Sequence, residues 1–304
     1  MILGIGKRII HMVMMIKKML YWGDMMKYNL DTLKKLQNSE LGILCEFDKV
    51  CKQLGVNYTL SSGTLLGAVR HGGFIPWDDD IDVAMLRKDY NKFIAEGQEL
   101  LSKHLFIQTY ETDKNYPLNF GKIRDVSTVL IEYSTQNLKM KNGVYIDIFP
   151  IDRVSTNSLI RWFDNMILSL ISAVKFSCTI EFAKVSSSRF RRLVRKILFP
   201  LARIIGTQRL NKIETFIRVK NNKKYNQYTY AERYMGPAYR LKKEMLMNID
   251  IFKNNGKIRF ENNEFSAIME WDVYLTIMYD NYMKLPPKDE RKSHHDFINI
   301  KFSV

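Results

Sequence analysis

Residues 58–83 read YTLSSGTLLGAVRHGGFIPWDDDIDV, and this stretch decides how the first half of the chain folds. The β-rich segment 56–60 precedes a turn of Ser, Gly and Thr at residues 61–64, and the apolar segment 65–69 follows it. Ser and Gly interrupt regular structure, whereas the flanking patterns are typical of a strand and of a helix. The order therefore predicts a strand, a tight turn and a helix, followed by an acidic run at residues 78–82.

The turn between this strand and this helix is a candidate phosphate site. Backbone N–H groups at the start of a helix point outward, and the helix dipole adds partial positive charge there. Hydroxyl groups can supply further donors, so Ser62, Gly63 and Thr64 are candidates for holding phosphate. On its own this signal is weak, because Ser-Gly turns cap many ordinary helices.

Asp80 and Asp82 stand two positions apart beside a segment, residues 81–85, whose alternation predicts a β-strand. Side chains two positions apart in a strand project from the same face, so the two carboxylates are expected to lie together. Like charges held this close repel unless a cation lies between them, and hard oxygen ligands suit Mg²⁺ or Mn²⁺. The alternative is a solvated acidic turn, which is our interpretation of Asp78 and Asp79.

A third acid, Asp147, lies in the apolar segment 144–150, which reads VYIDIFP and predicts a strand. A single carboxylate in such surroundings is costly unless it is paired or coordinated. We therefore expect Asp147 to meet Asp80 and Asp82 at the same ion. Two acids on one strand, a third on a distant apolar strand and a Ser/Gly turn upstream are typical of a nucleotidyltransferase.

The rest of the chain predicts an α+β fold of mixed helices and strands. Residues 41–54 place apolar side chains at helical spacing, and Gly55 ends that helix. Other predicted elements are helices at residues 90–101 and 271–283 and strands at residues 105–110, 119–124, 128–133 and 143–149. The strands cluster in the first half as a small mixed sheet, and the chain from residue 159 onward is mainly helical and basic. We divide the chain into an amphipathic N-terminal segment (1–38), a catalytic core (39–155), a helical basic region (156–260) and a C-terminal segment that completes the core (261–304).

The formal charge of +15 is concentrated in one part of the 304-residue chain. Residues 184–224 contain 13 Lys or Arg and one acid, Glu214. Such a segment favours an anionic partner, either a membrane surface or nucleic acid, although a solvated helical face is also consistent with it. The basic residues alternate with Leu and Ile, and few aromatic residues accompany them. We therefore favour a membrane surface over a nucleic-acid-binding module and expect no nucleic acid.

The first twenty residues, MILGIGKRIIHMVMMIKKML, are apolar but are interrupted by Lys and Arg. The pattern is too broken for a membrane span and lacks a signal-peptide cleavage site, so we favour an interfacial amphipathic helix. Three scattered cysteines predict neither a disulfide framework nor a zinc site and are typical of a reducing compartment. We expect a cytoplasmic protein at the inner face of a bacterial membrane.

Residues 58–83 also resemble the LicD family of phosphocholine transferases, whose domain is related to fukutin and fukutin-related protein. Residues 119–125, 144–150 and 279–287 agree with the family too, as do Arg291 and the pair His294–His295. The similarity is continuous over roughly residues 41–149 and returns near the C-terminus. The family often has Tyr-Gly where this chain has Tyr279-Asp280, and residues 159–257 match no pattern of the family.

This resemblance implies transfer of a phospho-alcohol, typically phosphocholine, from a CDP-linked donor to a sugar of a cell-surface glycan. The acceptor would be lipopolysaccharide, teichoic acid or capsule. Asp80 and Asp82 would then bind the metal, and Asp147 would be its third ligand or the base for the acceptor hydroxyl. The Ser62–Thr64 turn would hold the donor phosphate.

Other residues are candidates for binding the donor. In the context of the resemblance, Arg70 and His71 at the end of the helix could hold a diphosphate, although cations there also complement the helix dipole. Lys122 and Arg124 share one face of a predicted strand and either line the phosphate path or face solvent. Trp77 either stacks on a base or on choline methyl groups, or is a packing anchor. The histidines at 294 and 295 are interpreted as surface residues.

Overall fold

The computed structural model describes residues 29–155, 157–179, 205–220, 222, 230–233, 247–293 and 295–302. The predicted amphipathic segment at residues 1–20 lies outside the described residues. So do most of the basic run and His294. Within these ranges the helices are α1 (Leu30–Leu54), α2 (Ser62–His71), α3 (Arg87–Glu96), α4 (Ser158–Thr179), α5 (Thr207–Val219) and α6 (Trp271–Tyr279).

Helix α1 begins eleven residues before the predicted start at residue 41. Asn29 caps it by accepting a hydrogen bond of 2.8 Å from the backbone N–H of Thr32. Leu33 and Leu36 extend the buried face towards the N-terminus, which explains the greater length. Gly55 ends the helix in the left-handed region, with φ of 61°, where glycine carries no steric penalty.

Within the described part of the chain, a central sheet of seven strands is built from both halves of the sequence. Its members are β1 (Thr59–Leu60), β2 (Asp82–Leu86), β3 (Leu105–Gln108), β4 (Gly121–Asp125), β6 (Val144–Arg153), β7 (Tyr230–Arg233) and β8 (Met247–Asn248). The main order is β1-β2-β6-β4-β3, and β7 pairs with the end of β6 and with β8. Strands β2 and β6 are parallel, and the other pairs are antiparallel.

Two smaller sheets complete the fold. Strands β9 (Asn255–Phe260) and β10 (Asn263–Ile268) form an antiparallel pair, and β5 (Val129–Glu132) pairs with β11 (Phe297–Lys301). The backbone N–H of Tyr133 also donates to the carbonyl of Asp296 at 2.8 Å. The C-terminal segment is therefore tied to the first half of the chain, and this places residue 295 beside the acidic run.

Strand β6 is longer than predicted and continues through Pro150 to Arg153. Proline has no backbone N–H and is tolerated in a sheet only where that donor is not needed. Strand β4 pairs with β6 as far as Ile148, and β7 begins to pair at Ile151, so Pro150 lies between the two partners. The long strand β6 can therefore lie at the centre of the sheet and pair with β2, β4 and β7.

The α+β fold with a small mixed sheet is confirmed. The region 156–260 contains helices α4 and α5, as predicted. Its described part also contains strands β7, β8 and β9, so it is less helical than the sequence suggested. A buried ion pair of 2.6 Å joins Lys175 Nζ on α4 to Glu214 Oε2 on α5. Among the described helices, none combines the length and the hydropathy needed to cross a bilayer.

Candidate active site

Three polar residues lie side by side across the centre of the sheet. Asp82 on β2 is the register partner of Asp147 on β6, and Asp147 is in turn the partner of Lys122 on β4. The backbone N–H of Asp147 donates to the carbonyl of Ile81 at 2.8 Å. Directly opposed residues on neighbouring strands share a face, so the predicted meeting of the two acidic strands is confirmed.

The cation that meets Asp147 is Lys122. Its Nζ lies 2.7 Å from Asp147 Oδ1, 3.8 Å from Glu132 Oε1 and 3.3 Å from the centre of the Tyr145 ring. Lys122 is 3% exposed, so the solvent-facing interpretation of this residue is wrong. Asp147 is therefore paired with a lysine on the adjacent strand. Its predicted part in binding a metal with Asp80 and Asp82 remains a prediction.

Asp78 and Asp79 do not form the solvated turn that the sequence suggested, because both are buried. The two residues are 5% and 1% exposed. The carbonyl of Asp78 accepts a hydrogen bond of 2.9 Å from Gln37 Nε2 on α1, which holds the run against that helix. Burial raises the pKa of the Asp78 carboxyl well above its usual range, and the charges of Asp80 and Asp79 raise it further. Burial also raises the pKa of Asp80.

His295 contacts the acidic run, although the sequence analysis interpreted it as a surface residue. Its Nδ1 lies 3.2 Å from Asp79 Oδ1, and its backbone N–H donates to Asp79 Oδ2 at 3.3 Å. Burial lowers the pKa of His295, but the hydrogen bond to Asp79 and the charges of Asp80 and Asp79 outweigh it and raise the pKa well above its usual value. The family resemblance, which includes this position, was the one sequence signal that pointed to it.

Glu40 on α1 is a functional candidate that the sequence analysis missed. It lies three residues after Gln37, on the same side of the helix, and is 1% exposed. Its Oε2 has no hydrogen-bond partner among the described residues. Burial raises the pKa of Glu40 well above its usual value, and the charges of Asp80, Asp79 and Asp78 raise it further. An acid at an apolar position of an amphipathic helix was the signal that could have identified it.

The predicted phosphate turn is buried and holds several protein contacts. The Ser61 hydroxyl lies 2.9 Å from the Tyr274 hydroxyl, which also accepts a hydrogen bond of 3.2 Å from the backbone N–H of Ser62. Thr64 Oγ1 accepts a hydrogen bond of 2.8 Å from the backbone N–H of Asp82. These bonds join the start of α2 to α6 and β2. A phosphate-binding role for Ser62, Gly63 and Thr64 remains a prediction.

The side chain of Asp78 comes so close to the backbone of residue 63 that this position favours glycine. A Cβ atom at this position would lie 2.7 Å from Asp78 Oδ2, which is closer than carbon and oxygen can pack. The glycine therefore lets the Asp78 carboxyl lie against the first turn of α2.

Arg70, His71 and Trp77 lie at the end of α2 and just before the acids. Arg70 Nη1 donates to the carbonyl of Tyr282 at 2.7 Å. The rings of His71 and Trp77 meet edge to face at 6.3 Å between centroids, and the Arg291 guanidinium carbon lies 5.7 Å from the centre of the Trp77 ring. Burial and the charge of Arg70 lower the pKa of His71. We call these four residues the rim; Arg291 joins the three that were predicted.

Arg124 does not belong to this rim. It is 1% exposed, its Nη1 donates to the carbonyl of Gly143 at 2.9 Å, and its Nε donates to Gln108 Oε1. Its guanidinium carbon also lies 4.7 Å from the centre of the Tyr145 ring. These contacts anchor Arg124 within the sheet, so the structure does not support its predicted contact with substrate phosphate.

Carboxylates outnumber cations in this site. The acids are Glu40, Asp78, Asp79, Asp80, Asp82, Glu132 and Asp147, and the cations that act on them most directly among the described residues are Lys122 and His295. Buried acids repel one another strongly unless positive charge accompanies them. The donor set therefore fits a divalent cation. One group of ligand atoms, from Asp79, Asp80 and His295, lies within a mutual separation of 4.8 Å.

The site is built from a strand, a turn and a helix that lead into acidic residues on the central strands of a mixed sheet. This arrangement defines a nucleotidyltransferase-type domain. The family model that matches residues 55–204 is described as LicD/FKTN/FKRP, nucleotidyltransferase domain. Residues 55–204 therefore carry the nucleotidyltransferase domain of this family, as the sequence resemblance implied.

Similar proteins extend this finding over most of the chain. The lipopolysaccharide cholinephosphotransferase LicD of Haemophilus influenzae is 29% identical over 276 residues, which is 87% of this chain and 96% of that protein. The ribitol-5-phosphate transferase FKTN of Mus musculus is 38% identical over 104 residues, covering 33% of this chain and 18% of that protein. The ribitol 5-phosphate transferase FKRP of Homo sapiens is 50% identical over 40 residues, covering 13% and 8%.

Proposed function

We propose that this protein is a phosphotransferase that moves phosphocholine, or a similar phospho-alcohol, from a CDP-linked donor to a sugar hydroxyl of a cell-surface glycan. The observation that carries the proposal is the pairing of Asp82 with Asp147 beneath the turn at the start of α2. The similarity to a lipopolysaccharide cholinephosphotransferase over most of both chains supports the choice of phosphocholine. Lipopolysaccharide, teichoic acid and capsule are the candidate acceptors.

Asp80 and Asp82 are the residues that would hold Mg²⁺ or Mn²⁺, and the excess of buried carboxylates around them supports this assignment. When bound, the ion supplies positive charge to the diphosphate oxygens and to the departing CMP. Asp147 is less suited to be a third ligand than the sequence suggested, because its carboxylate already pairs with Lys122 at 2.7 Å.

We assign Asp147 the role of base for the acceptor. Burial raises the pKa of Asp147 above its usual value, although Lys122 opposes this, and a carboxylate with a raised pKa accepts a proton more readily. Its Oδ atoms would take the proton of the sugar hydroxyl as that oxygen bonds to the β-phosphorus of the donor. The bond from the β-phosphorus to the bridging oxygen then breaks, and CMP leaves with the bonding electrons.

The rim would bind the donor outside the acids. Arg70 and Arg291 offer guanidinium groups, which bind phosphate through paired hydrogen bonds. Trp77 offers an aromatic face, which attracts quaternary ammonium groups such as choline. Each role uses a side chain at least partly open to solvent and close in sequence or space to the acidic run.

The test is a comparison of donors. Purified protein is incubated separately with CDP-choline, CDP-ethanolamine, CDP-glycerol and CDP-ribitol, with glycan acceptor and Mg²⁺, and CMP release is measured together with the mass gained by the glycan. We expect CDP-choline to give the highest kcat/KM. No CMP release above that of an Asp82→Asn variant with any donor would refute the proposed function.

We further propose that the protein works at the inner face of the bacterial cytoplasmic membrane. Support comes from the concentration of 13 Lys or Arg against one acid in residues 184–224. A membrane-linked acceptor would require such a location. The alternative is that the basic segment belongs to a nucleic-acid-binding module.

A further inference from the structure

We propose that Asp79, Asp80 and His295, backed by Glu40, form a cation site with oxygen and nitrogen ligands that prefers Mn²⁺ or Zn²⁺ to Mg²⁺. This site lies beside the Asp82–Asp147 pair and shares Asp80 with the acids of the proposed transfer reaction. Its catalytic purpose rests on the proposed function, but its existence does not, because cation binding can be measured with no donor present.

Spacing is the first argument for this site. The ligand atoms of Asp79, Asp80 and His295 lie within 4.8 Å of one another. Opposite ligands in an octahedral site with bonds of about 2.1 Å lie about 4.2 Å apart. Small side-chain rotations are therefore enough to bring the three groups onto one ion.

Glu40 provides the second and independent argument. It comes from α1, a different element from the acidic run, and it is 1% exposed with Oε2 unpartnered among the described residues. A buried carboxyl oxygen without a partner is costly, since such groups in proteins are almost always hydrogen-bonded or coordinated. Gln37, one turn earlier on α1, donates to the Asp78 carbonyl at 2.9 Å, so this face of the helix lies against the acids. A cation held by Asp79 and Asp80 would supply the missing partner.

The nitrogen ligand determines which cations are preferred. Mg²⁺ selects oxygen ligands. Imidazole nitrogen binds Zn²⁺ most strongly, Mn²⁺ less strongly and Mg²⁺ least of the three. His295 is held in place by stacking on Phe297, with 5.7 Å between ring centroids, and by its backbone bond to Asp79. The ring is therefore positioned before any ion arrives, which lowers the cost of ordering the site, and its nitrogen releases a proton when it binds the ion.

A purely structural role is the competing explanation. In that case the contact between Asp79 and His295 only fastens the C-terminal segment to the acidic run, and any ion binds through Asp80 and Asp82 alone. The two explanations differ in one measurable property, the presence of nitrogen in the coordination sphere of the ion.

The direct test uses Mn²⁺ bound to the full chain without donor. Electron spin echo envelope modulation should show coupling between Mn²⁺ and an imidazole nitrogen. A spectrum with no nitrogen coupling at a bound Mn²⁺ overturns the proposal, and this result does not depend on any variant folding. If the coupling is present but no CDP-linked donor is turned over, the cation site stands and the proposed function fails.

Variants give the second test. His295→Ala should weaken Mn²⁺ binding, measured by electron paramagnetic resonance, by at least about tenfold. It should leave the affinity for Mg²⁺ within about threefold of the wild-type value. The matched control is His104→Ala, which removes an exposed histidine and should change neither affinity. Glu40→Gln keeps the shape of the side chain and should weaken Mn²⁺ at least about threefold. Unchanged Mn²⁺ affinity in folded His295→Ala protein contradicts the site, and unchanged affinity in Glu40→Gln contradicts the part assigned to Glu40.

Discussion

Asp147 lies between an acidic residue and a basic residue on its two neighbouring strands. Asp82 is its register partner on β2, and Lys122 is its partner on β4. Lys122 neutralises the Asp147 carboxylate at 2.7 Å while Asp82 remains on its other side. This arrangement separates the roles of the acids. In the proposed reaction, Asp82 would hold the ion with Asp80, and Asp147 would take the acceptor proton.

Replacing Asp82 with Asn should abolish transfer while leaving the fold intact, because the change removes charge from the ion site and keeps the side-chain volume. Asp80→Asn should behave in the same way. The measurement is CMP release at saturating Mg²⁺, with circular dichroism as the check on folding. Asp289→Asn, at an exposed position, is the matched control. Activity of Asp82→Asn within tenfold of wild type would exclude the ligand role.

Asp147→Asn should lower kcat by at least about a hundredfold, which is the contribution expected of a general base. Metal affinity should change much less, since Lys122 and not the ion is the cation on Asp147. Isothermal titration with Mn²⁺ and steady-state kinetics separate the two effects. A large loss of Mn²⁺ affinity with kcat nearly preserved would reverse the assignment and make Asp147 a ligand.

Lys122→Met should destabilise the protein by about 3 kcal/mol, because it leaves buried Asp147 without its cation. The double variant Lys122→Met/Asp147→Asn removes both charges and should recover most of this loss while remaining inactive. Urea unfolding of the four members of the cycle provides the free energies. Equal instability of the single and double variants would show that Lys122 acts through packing on Tyr145 and not through charge.

Glu132 should contribute stability that depends on pH in a defined window. Burial raises the pKa of Glu132, but Lys122, His295 and Arg124 outweigh it and lower the pKa from its ordinary 4.5 to about 2. A carboxyl with a depressed pKa in the folded state stabilises the protein above its unfolded value and loses that contribution as pH falls towards the folded value. The difference in unfolding free energy between wild type and Glu132→Gln should therefore be largest above pH 4.5 and shrink as pH decreases from there. A difference that stays constant from pH 7 to pH 3 would contradict this.

Gly63→Ala should disturb the acidic run, because the new Cβ would lie 2.7 Å from Asp78 Oδ2. We expect a lower melting temperature and a loss of activity greater than the loss of stability explains. Gly42→Ala is the matched control: its Cβ would meet nothing within 4 Å, and it lies inside α1. Alanine is the better helix former, so Gly42→Ala should stabilise by about 0.5–1 kcal/mol. We therefore expect Gly63→Ala to lower the stability of the protein and Gly42→Ala to raise it.

The full chain should float with anionic liposomes and release them at high salt, because Lys and Arg near an anionic surface bind electrostatically. Deleting residues 1–20 should weaken flotation more than it weakens turnover of a soluble acceptor. A DNA gel shift under the same conditions should show no stable complex. Tight DNA binding without flotation would favour the nucleic-acid module instead.

Much of the fold followed from local patterns. The strand, turn and helix around residues 56–71, the core face of α1 and the apolar strand around Asp147 were all predictable, since side-chain periodicity and the positions of glycine are local properties. Boundaries were less accurate, as the early start of α1 and the extension of β6 beyond Pro150 show. The strands β7 to β11 were missed. Strands β7 and β8 have only four and two residues, and β7 and β11 pair with the distant strands β6 and β5.

The sequence by itself determined the family, the acidic run and the position of Asp147 in an apolar strand, because motif spacing and composition are properties of residues close together in the chain. Only the tertiary structure decided which charges meet. Lys122 was one of several candidate cations until β4 aligned it with Asp147. Glu40 and His295 are separated from Asp80 by long stretches of chain, and their own neighbourhoods do not show which residues they contact. Helix α1 and the C-terminal segment bring them to the acids, and electrostatic interactions depend on distance in space and on burial, which a linear pattern does not encode.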